Sequence, residues 1–463
     1  MKTLGVRELS QLEAGASVPF ELQLGSQCWH CEQVLRVLPG RRVVLQARRQ
    51  SADESPGSDY LLKLFIGSGG NRYRERERRG LQWLNDAGLP VPDLLEDLDD
   101  AGLAGLIIEY LPSAAVISPD DQDRVEQAAA LLGRMHQAGL WQVDLHLKNF
   151  VVSGERLFAV DGDGVRRRAN PVPAGKGLED LALLAAQRPP QEDEGADGLL
   201  RTYSENRPGL NANLQDLQAK IGRARHGRVR RYLKKCFRSC TEFSVGEDAD
   251  YRYFALRGRG ELVRELLSER DAFSTGDEFL EMEAVKLGNS ATLVRTRADG
   301  GVIIKRYNVK SLRKGMSRLL RPTPRYRRAW MCGQLMTFLG LPTAEPLLLI
   351  EQNRRFRPAV AFLVMEELGG RDLAEEVAED GLSHSRAAEV ARLFVLLKRA
   401  GLTHGDTKAT NFVIHADRVH LIDLDAMALG VRHFEKDLQR FLDNWEGEVR
   451  ERFQGAFSAV GLL

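Results

Sequence analysis

The amino-acid sequence predicts an α+β chain made of two tandem domains with the same plan, each with a small lobe rich in strands and a larger helical lobe. A repeated segment is the first observation: residues 138–152 read AGLWQVDLHLKNFVV, and residues 400–414 read AGLTHGDTKATNFVI. The second is a shared spacing, because in each copy an Asp is followed by Asn-Phe-Val and then by a second Asp at the same distance. The third is the order of strand-like and helix-like patterns around each copy, which is also the same.

The repeated pattern is typical of a phosphoryl-transfer core. Asp144 and Asp161 are 17 residues apart, and so are Asp406 and Asp423. In the protein-kinase fold, an Asp-x4-Asn loop followed by an apolar strand ending in Asp binds a nucleotide and magnesium. Two copies with one spacing, in segments that otherwise diverge, predict two tandem protein-kinase-like bilobal domains.

The first half begins with strand patterns. Apolar and polar residues alternate through FELQL, EQVLRVL and RVVLQAR, and Pro39-Gly40 predicts a turn between the last two. The strand YLLKLF follows, and then a charged helical pattern over residues 72–84 that ends at GLPVP. LAGLIIEYL predicts a buried strand leading into a hinge, and residues 121–138 predict the helix before Asp144.

The second half repeats this order. EAVKLGNSATLVRT and VIIKRY predict a hairpin and a third strand, and WMCGQLMTFLGLPTAEP predicts a helix with the same Gly-Leu-Pro break. AFLVMEEL predicts the hinge strand, and AAEVARLFVLLKRAGL the helix before Asp406. We place the boundary between residues 225 and 275 and divide the chain into a first domain, 1–240, and a second domain, 241–463.

A lysine on the third strand of each half is the candidate phosphate-binding residue. Lys63 in YLLKLF and Lys305 in VIIKRY both precede a Gly-Leu-Pro break and a hinge strand. In this fold such a lysine contacts the nucleotide phosphates and is held by a helix carboxylate. Glu77, with Glu75 as the alternative, provides that carboxylate in the first half. Ala329 stands at the matched place in the second half, so Lys305 would need a carboxylate from elsewhere.

Asp144 and Asp406 are the candidate catalytic residues, which would orient the acceptor hydroxyl and accept its proton. The candidate magnesium ligands are the amide of each Asp-x4-Asn loop and the carboxylate at each strand end: Asn149, Asp161, Asn411 and Asp423.

The two halves differ beside the catalytic Asp. Two residues after it, the first half has His146 and the second has Lys408, and either could meet the transferring phosphoryl group. Two residues before it, the second half has the consensus His404, whereas the first half has Gln142.

The remaining nucleotide contacts are less well marked. Glu109 and Glu366 end the predicted hinge strands and are candidate nucleotide-binding residues. For the phosphate-covering loop, Gly288 in KLGNSATLV and Gly25 in LGSQCW are suggestions without the full three-glycine pattern.

At these motifs the chain resembles the bacterial lipopolysaccharide-core kinases, the Kdo and heptose kinase family. The resemblance rests on DLHLKNFVV with LFAVDGDGV, on HGDTKATNFVI with VHLIDLDAM, and on the breaks GLPVP and GLPTAEP, and it covers most of both halves. It implies an ATP- and Mg²⁺-dependent phosphotransferase that acts on a sugar hydroxyl of the lipopolysaccharide core.

The segment after the second Asp of each half bears on the acceptor. Asp180 follows Asp161 by 19 residues, and Asp437 follows Asp423 by 14. If Asp180 and Asp437 start the helix that anchors the catalytic loop, no room is left for a regulatory loop with a peptide platform. A sugar or small-molecule acceptor is then favoured over a protein. Two alternatives stay open: another small-molecule or protein kinase of this fold, or a tandem pseudokinase scaffold with one or both halves inactive.

Composition excludes several classes of protein. The net charge of +1 argues against a chain-wide nucleic-acid or membrane field. We expect no membrane span and no secretory signal, because no apolar run approaches about 18 residues. Five cysteines suggest a reducing compartment, and Cys28-x-x-Cys31 predicts two thiols on opposite faces of a strand end. We therefore expect a cytoplasmic protein.

Two local basic runs are candidate docking segments. Residues 310–328 carry eight Lys or Arg and no acidic residue, and residues 220–238 form a second run. Either could dock an anionic glycolipid at the inner membrane face, with solvated helix faces or a nucleic-acid patch as alternatives. Few aromatic residues interleave with these runs, so we expect no nucleic-acid partner.

Overall fold

The computed structural model describes residues 3–9, 18–38, 40–50, 59–100, 103–247, 250–268, 283–287, 291–296, 301–307, 323–352 and 360–463. The chain divides into two compact units, the first made of residues 1–188 and 192–224 and the second of residues 189–191 and 225–463. The division falls within a continuous helix, Leu214–Leu233. We therefore keep residue 240, beyond the end of that helix, as the proposed limit of the first domain.

The strands are, in chain order, β1 (Thr3–Leu4), β2 (Phe20–Leu24), β3 (Gln27–Leu38), β4 (Arg42–Arg49), β5 (Asp59–Phe65), β6 (Leu94–Asp100), β7 (Leu103–Glu109), β8 (Ala115–Val116), β9 (Leu140–Gln142), β10 (Phe150–Ser153), β11 (Arg156–Ala159), β12 (Val165–Arg167), β13 (Phe243–Glu247), β14 (Tyr251–Leu256), β15 (Glu283–Leu287), β16 (Ala291–Thr296), β17 (Val302–Tyr307), β18 (Pro346–Gln352), β19 (Ala361–Glu366), β20 (Leu402–Thr403), β21 (Phe412–His415), β22 (Arg418–Leu421) and β23 (Ala428–Leu429).

The α-helices are α1 (Val6–Leu9), α2 (Gly70–Asp86), α3 (Gln122–Gln137), α4 (Ala174–Ala185), α5 (Ala196–Glu205), α6 (Leu214–Leu233), α7 (Gly260–Ser268), α8 (Arg325–Phe338), α9 (Leu373–Asp380), α10 (His384–Ala400), α11 (Phe434–Leu442) and α12 (Gly447–Ala459). Short 3₁₀ turns lie at Leu147–Asn149, Pro190–Gly195, Arg257–Arg259, Ala409–Asn411 and Leu424–Ala426.

The small lobe of the first unit is a seven-stranded sheet in the order β1-β2-β3-β4-β5-β7-β6. Lys63 lies in the middle of β5, opposite Val44 on β4 and Leu106 on β7. Because side chains alternate along a strand, Leu62 and Leu64 enter the apolar core while Lys63 points to the opposite face.

The turns of this sheet correct one suggestion about the phosphate-covering loop. That loop joins the two strands preceding the lysine strand, which here are β3 and β4, and Gly40 in their turn has a φ of 66°. Gly25 lies in the preceding turn, between β2 and β3, so its suggested role is wrong. Gly288 lies outside the described residues.

The large lobe of the first unit has an apolar core in which α3, α4 and α5 pack together. Asp121 caps the amino end of α3, where its side chain accepts a hydrogen bond from the Arg124 amide. Strands β10 and β11 form a hairpin in which Phe150 pairs with Ala159, and the Val160 amide donates to the Asn149 carbonyl at 3.0 Å. This hairpin brings residues 149 and 161 side by side.

The small lobe of the second unit has the strand order β13-β14-β18-β19-β17-β16-β15. Lys305 lies on β17 between β16 and β19, as Lys63 lies between β4 and β7. The hairpin β13–β14, which sequence patterns did not indicate, extends the sheet at the β18 edge.

The large lobe of the second unit has a core rich in phenylalanine. Phe394 on α10 lies against Phe412, Phe441 and Phe457, with ring centroids 5.2 to 6.0 Å apart. The hairpin β21–β22 repeats the geometry of β10–β11, since the Ile422 amide donates to the Asn411 carbonyl at 2.9 Å. The predicted α+β class with two bilobal kinase-like domains is confirmed.

Two smaller predictions concerned the Cys28-x-x-Cys31 pair and membrane-spanning segments. Cys31 is buried in the core of the first small lobe, whereas Cys28 is half-buried. Among the described residues, none of the helices combines the length and the apolar character needed to cross a membrane.

Candidate active site

The structure brings Lys63 and Glu77 together in the first unit. The Lys63 ammonium group lies 2.5 Å from a carboxylate oxygen of Glu77, and the Glu77 side chain is fully buried on α2. Burial raises the pKa of Glu77, and the Lys63 charge opposes this rise. Glu75 instead pairs with Arg78 and Arg79 of its own helix, so Glu77 is the residue that reaches the lysine.

Close backbone packing allows Glu77 to reach further. Its two carboxylate oxygens accept hydrogen bonds from the amides of Gly162 and Asp163, each at 3.1 Å. A Cβ on Gly162 would lie 2.8 Å from the Leu81 amide nitrogen, so only glycine permits this approach. Gly80 faces the same contact, since its own Cβ would lie 2.6 Å from the Gly162 carbonyl carbon. Helix α2 therefore packs directly on the loop that follows Asp161.

Asn149 connects the catalytic loop of the first unit to its neighbours. Its side-chain amide donates to the Asp144 carbonyl at 2.9 Å and to the Gln142 side chain at 3.1 Å. Gln142 in turn donates to the Asp161 carbonyl at 2.9 Å. The Asn149 side-chain oxygen is thus left as the atom available to a ligand.

Asp161 has the character expected of a metal ligand. One of its carboxylate oxygens is buried and has no hydrogen-bond partner among the described residues. Lys63 lies 3.8 Å from that oxygen. A buried carboxylate oxygen without a hydrogen bond is costly unless a cation binds it. Together with the Asn149 oxygen, it forms an oxygen donor set that suits Mg²⁺.

The catalytic loop of the second unit has the same core. The Asn411 side chain donates to the Asp406 carbonyl at 2.8 Å. His404 is buried, which lowers its pKa, so the imidazole is neutral. Its Nδ1 accepts from the Asp406 amide at 3.3 Å, and its Nε2 therefore carries the proton and donates to the Ile422 carbonyl at 2.9 Å. Gln142 stands at this place in the first unit, but it accepts from the Asn149 side chain and donates to the Asp161 carbonyl.

Lys305 has two carboxylate partners in the second unit. Its ammonium group lies 2.6 Å from Asp423 and 3.0 Å from Asp425. Burial alone would raise the pKa of Asp423, but the charge and hydrogen bond of Lys305 leave it lowered. The matched helix position is Ala329, as the sequence indicated, and the carboxylate from elsewhere is Asp425.

The residues two positions after each catalytic Asp lie beside its carboxylate. His146 Nε2 is 3.1 Å from Asp144, and Lys408 Nζ is 3.2 Å from Asp406. Asp144 is exposed, with 86% of its side-chain surface accessible. An acceptor can therefore reach this carboxylate from solvent.

The carboxylates of Glu109 and Glu366 bind backbone amides just before the neighbouring strands, β6 and β18. Glu109 accepts from the Asp93 amide at 3.0 Å, and Glu366 accepts from the Glu345 amide at 2.9 Å. Their predicted role in nucleotide binding stays a prediction, although Glu109 also lines a cleft of about 300 Å³ in the first unit. Other residues that line this cleft include Lys63, Leu111, Lys148, Asn149 and Asp161.

Asp437 and Asp180 do not have the same role. Both carboxylate oxygens of Asp437 accept from the Gly405 amide at 3.0 Å, so Asp437 anchors the catalytic loop. Asp180 instead pairs with Lys176 at 2.5 Å, within α4. It also faces His136 at 3.6 Å, but burial lowers the pKa of His136 to about 3 and leaves the imidazole neutral. The expectation of equivalent anchors is therefore wrong for the first unit.

Two carboxamide side chains that sequence reasoning missed hold the catalytic loops. Gln187 accepts from the Leu147 amide at 3.0 Å and donates to the Leu145 carbonyl at 3.3 Å. Asn444 accepts from the Ala409 amide at 3.3 Å and donates to the Thr407 carbonyl at 3.1 Å. Each amide thus clamps the first and third residues after the catalytic Asp. Neither the residue type nor the spacing is shared, so the sequence contains no signal for this pair.

A bilobal fold that gathers a strand lysine, an Asp-x4-Asn loop and a strand-end Asp defines the kinase-like phosphotransferases. Comparison with protein families agrees with this class in both halves. Residues 292–453 match the lipopolysaccharide kinase (Kdo/WaaP) family, and residues 45–238 match the phosphotransferase enzyme family. The predicted resemblance is confirmed for the second half, and the chain is a phosphotransferase with two kinase-like domains.

The chain is also similar to curated proteins. One is a probable kinase, and another matches over a shorter segment. A probable serine/threonine-protein kinase BUD32 homolog of Archaeoglobus fulgidus is 27% identical over 182 residues, which cover 36% of this chain and 78% of that protein. A probable bifunctional tRNA threonylcarbamoyladenosine biosynthesis protein of Methanosarcina acetivorans is 32% identical over 91 residues, 19% of this chain and 16% of that protein.

Solved structures with similarity include two further proteins. WaaP in complex with acyl carrier protein is 19% identical with a TM-score of 0.31, covering 50% of this chain and 91% of that one. Choline kinase LicA from Streptococcus pneumoniae is 15% identical with a TM-score of 0.29, covering 45% of this chain and 86% of that one.

Proposed function

We propose that the chain is an ATP- and Mg²⁺-dependent kinase that phosphorylates a sugar hydroxyl of the lipopolysaccharide core on the cytoplasmic side of the envelope. The observation that carries the proposal is the assembly of lysine, carboxylate, Asp and Asn in both units, with the lipopolysaccharide kinase match over residues 292–453. A sugar hydroxyl is the acceptor that this family description favours.

The proposed roles follow from the contacts. Lys63 and Lys305 would bind the nucleotide phosphates from their strands. Asp144 and Asp406 would orient the acceptor hydroxyl and take its proton as its oxygen bonds to the γ-phosphorus and the bond to ADP breaks. Lys408 lies beside Asp406, where its charge can also meet the phosphoryl group.

The metal ligands are proposed from the oxygens that the contacts leave available. Asn149 and Asp161 would hold Mg²⁺ in the first site, and Asn411 and Asp423 in the second. The metal would neutralise the phosphate charge that develops during transfer. Asp423 is bound to Lys305 at 2.6 Å, so it would exchange part of this ion pair for the metal.

The acceptor is proposed to be anionic, and helix α6 is the better supported docking segment. Of the run 310–328, only residues 323–328 are described, and two of its arginines are in ion pairs, Arg325 with Asp425 and Arg327 with Glu351. Helix α6 and the turn after it expose a basic stripe, hereafter the α6 stripe, made of Arg223, Arg230, Arg231, Lys234 and Arg238. We propose that this stripe attracts anionic glycolipid and gives the protein a peripheral contact with the inner membrane.

Phosphate incorporation by the full chain tests the proposed activity. Purified protein is incubated with Mg²⁺ and labelled ATP, and with core oligosaccharide, a protein panel or a small-molecule panel. We expect label in the oligosaccharide. Label confined to a protein or a small molecule would assign a different kinase, and the absence of MgATP binding to either half would leave the scaffold alternative.

Vesicle co-sedimentation tests the docking proposal. Changing Arg223, Arg230 and Arg231 to Gln should reduce binding to vesicles with anionic lipid at low salt, and the difference should shrink at high salt because exposed charges are screened over about 8 Å at physiological ionic strength. The matched control changes Arg371, Arg418 and Arg432 to Gln, which removes the same charge elsewhere. Equal loss in both triple variants would mean that net charge, not the α6 stripe, governs binding.

A further inference from the structure

The two units hold their strand lysine with carboxylates from different elements. In the first unit the partner is Glu77, on a helix. In the second unit Ala329 occupies that helix position, and Asp425, which follows the strand-end Asp423 by two residues, lies 3.0 Å from the lysine. Asp425 is 4% exposed, so its charge is almost fully removed from water. A buried carboxylate of this kind requires specific partners.

Asp425 is held in place by two further groups. The Tyr307 hydroxyl donates to one carboxylate oxygen at 2.6 Å, and the Arg325 guanidinium donates to the other at 2.8 Å. Burial raises the pKa of Tyr307 well above its ordinary value, as does Asp425 itself, so the hydroxyl stays protonated and donates. With Lys305, these bonds fix the orientation of the carboxylate plane.

The counterpart of Asp425 in the first unit behaves differently. Asp163 also follows the strand-end Asp by two residues, but its side chain pairs with Arg76 at 2.9 Å. The Lys63 ammonium group instead pairs with Glu77 at 2.5 Å, and the Glu77 carboxylate also accepts a hydrogen bond from the Asp163 amide. The carboxylate that pairs with the lysine therefore comes from the helix position in the first unit and from the loop position in the second.

The residue that follows the strand-end Asp also differs between the two units. In the first unit, Gly162 lets the helix backbone approach the loop closely enough for Glu77 to reach both the lysine and the loop amides. In the second unit, Leu424 occupies the place of Gly162 and packs into the apolar core, 3.7 Å from where a Cβ of Gly333 would lie. Helix α8 still contacts this loop, since the Cys332 thiol on the helix donates to the Met427 carbonyl at 3.8 Å. The helix carboxylate is missing because the matched residue is Ala329, and Asp425 on the loop provides a carboxylate instead.

We propose that Asp425 is the positioning residue for Lys305 in the second site, with Tyr307 and Arg325 fixing its orientation. The inference rests on the proposed function, because it assumes that Lys305 binds nucleotide phosphates. It assigns to the second half a complete lysine–carboxylate pair, with the carboxylate on the metal-binding loop rather than on the helix.

A double-mutant cycle on nucleotide affinity tests the coupling. All variants are made in the full chain with Lys63→Met, so that MgATP binding reports the second site. Asp425→Asn should weaken MgATP binding about 10- to 100-fold, the loss expected for a charged hydrogen-bonded partner. In a chain that also carries Lys305→Met, adding Asp425→Asn should change the affinity less than about twofold, because a positioning residue acts only through its lysine. Asp425→Glu should recover part of the affinity.

A second measurement does not depend on nucleotide binding. Acylation of lysines by a small reagent, followed by peptide mass spectrometry, reports how firmly each amine is held. Asp425→Asn should raise the labelling of Lys305 severalfold, and Glu77→Gln should do the same for Lys63. Asp163→Asn is the matched control, because it removes the corresponding loop carboxylate of the first unit and should leave Lys63 labelling unchanged.

The outcomes separate this inference from the proposed function. Unchanged Lys305 labelling in Asp425→Asn would overturn the inference, as would an equal loss of MgATP affinity with and without Lys305. If labelling rises as expected but the Lys63→Met chain binds no MgATP, the proposed function of the second half fails while the lysine–carboxylate pair stands.

Discussion

The contact between α2 and the loop after Asp161 makes a quantitative prediction for Gly80→Ala. A methyl group at residue 80 would lie 2.6 Å from the carbonyl carbon of Gly162, whereas ordinary contact begins near 3.4 Å, so the helix must retreat by at least 3.4 − 2.6 = 0.8 Å. The same retreat would lengthen the two 3.1 Å bonds from the Gly162 and Asp163 amides to Glu77 beyond hydrogen-bonding distance. One substitution should thus disturb both the packing and the Lys63 pair.

The loss of folding free energy in Gly80→Ala follows from these two effects. Overpacking typically costs about 1–3 kcal/mol, and weakened hydrogen bonds to a charged group cost about 1.5–3 kcal/mol. Alanine regains about 1 kcal/mol of helix propensity. We therefore expect Gly80→Ala to destabilise the first unit by about 3 kcal/mol and to weaken MgATP binding at its site about 10-fold or more.

Hydrogen exchange of residues 70–86 and MgATP titration in a Lys305→Met chain measure the two effects. Gly222→Ala is the matched control, since Gly222 is also a helical glycine and a Cβ there would meet nothing within 4 Å. It should stabilise α6 by up to about 1 kcal/mol and leave MgATP binding unchanged. Helix protection and affinity in Gly80→Ala that match those of Gly222→Ala would refute the reasoning.

Three further predictions concern the catalytic loops and pH. Gln187→Ala and Asn444→Ala should each lower the phosphoryl-transfer rate of their own half about 10- to 100-fold with little change in MgATP affinity, which steady-state kinetics can separate. At least one of Asp144→Ala and Asp406→Ala should abolish phosphate transfer while nucleotide binding persists, and equal activity of both single variants and the double variant would contradict the proposed roles. Because burial lowers the pKa of His136 from about 6.5 unfolded to about 3 folded, its stabilising contribution is present above pH 6.5 and is lost as pH falls, by about 1.4 kcal/mol per pH unit. A His136→Gln chain should lose this slope in acid denaturation, and an unchanged slope would show that other groups control it.

The catalytic loops could be predicted from the sequence because their geometry is local. The interval of 17 residues comprises the Asp-x4-Asn loop, two paired four-residue strands and a tight turn, so the second Asp must return beside the Asn. The strand lysines were also predictable, since each lies at a fixed place in the order of strands. Hydrophobic patterns and turns thus determined the elements that carry these side chains.

The supports of these loops could not be predicted, because they come from distant segments with no shared spacing. Gln187 and Asn444 differ in type and position, yet both clamp a catalytic loop. The basic run 310–328 was interpreted by charge alone, whereas Arg325 and Arg327 form ion pairs whose partners lie 100 and 24 residues away. Asp180 was expected to match Asp437 by order, and tertiary packing placed it against α3 instead. Local sequence carries no information on such partners.

Two departures from the kinase consensus kept the scaffold alternative open. In each case another side chain makes a contact in place of the missing residue. Gln142 stands where His404 does, and both side chains donate to a backbone carbonyl at the end of the strand that carries the proposed metal ligand, at 2.9 Å in each unit. Ala329 removes the helix carboxylate, and Asp425 provides one from the loop, 3.0 Å from the Lys305 ammonium group. A substitution whose lost contact is made by another group is weak ground for loss of activity. A scaffold role for either half would therefore have to be established by failure to bind MgATP, not by these two positions.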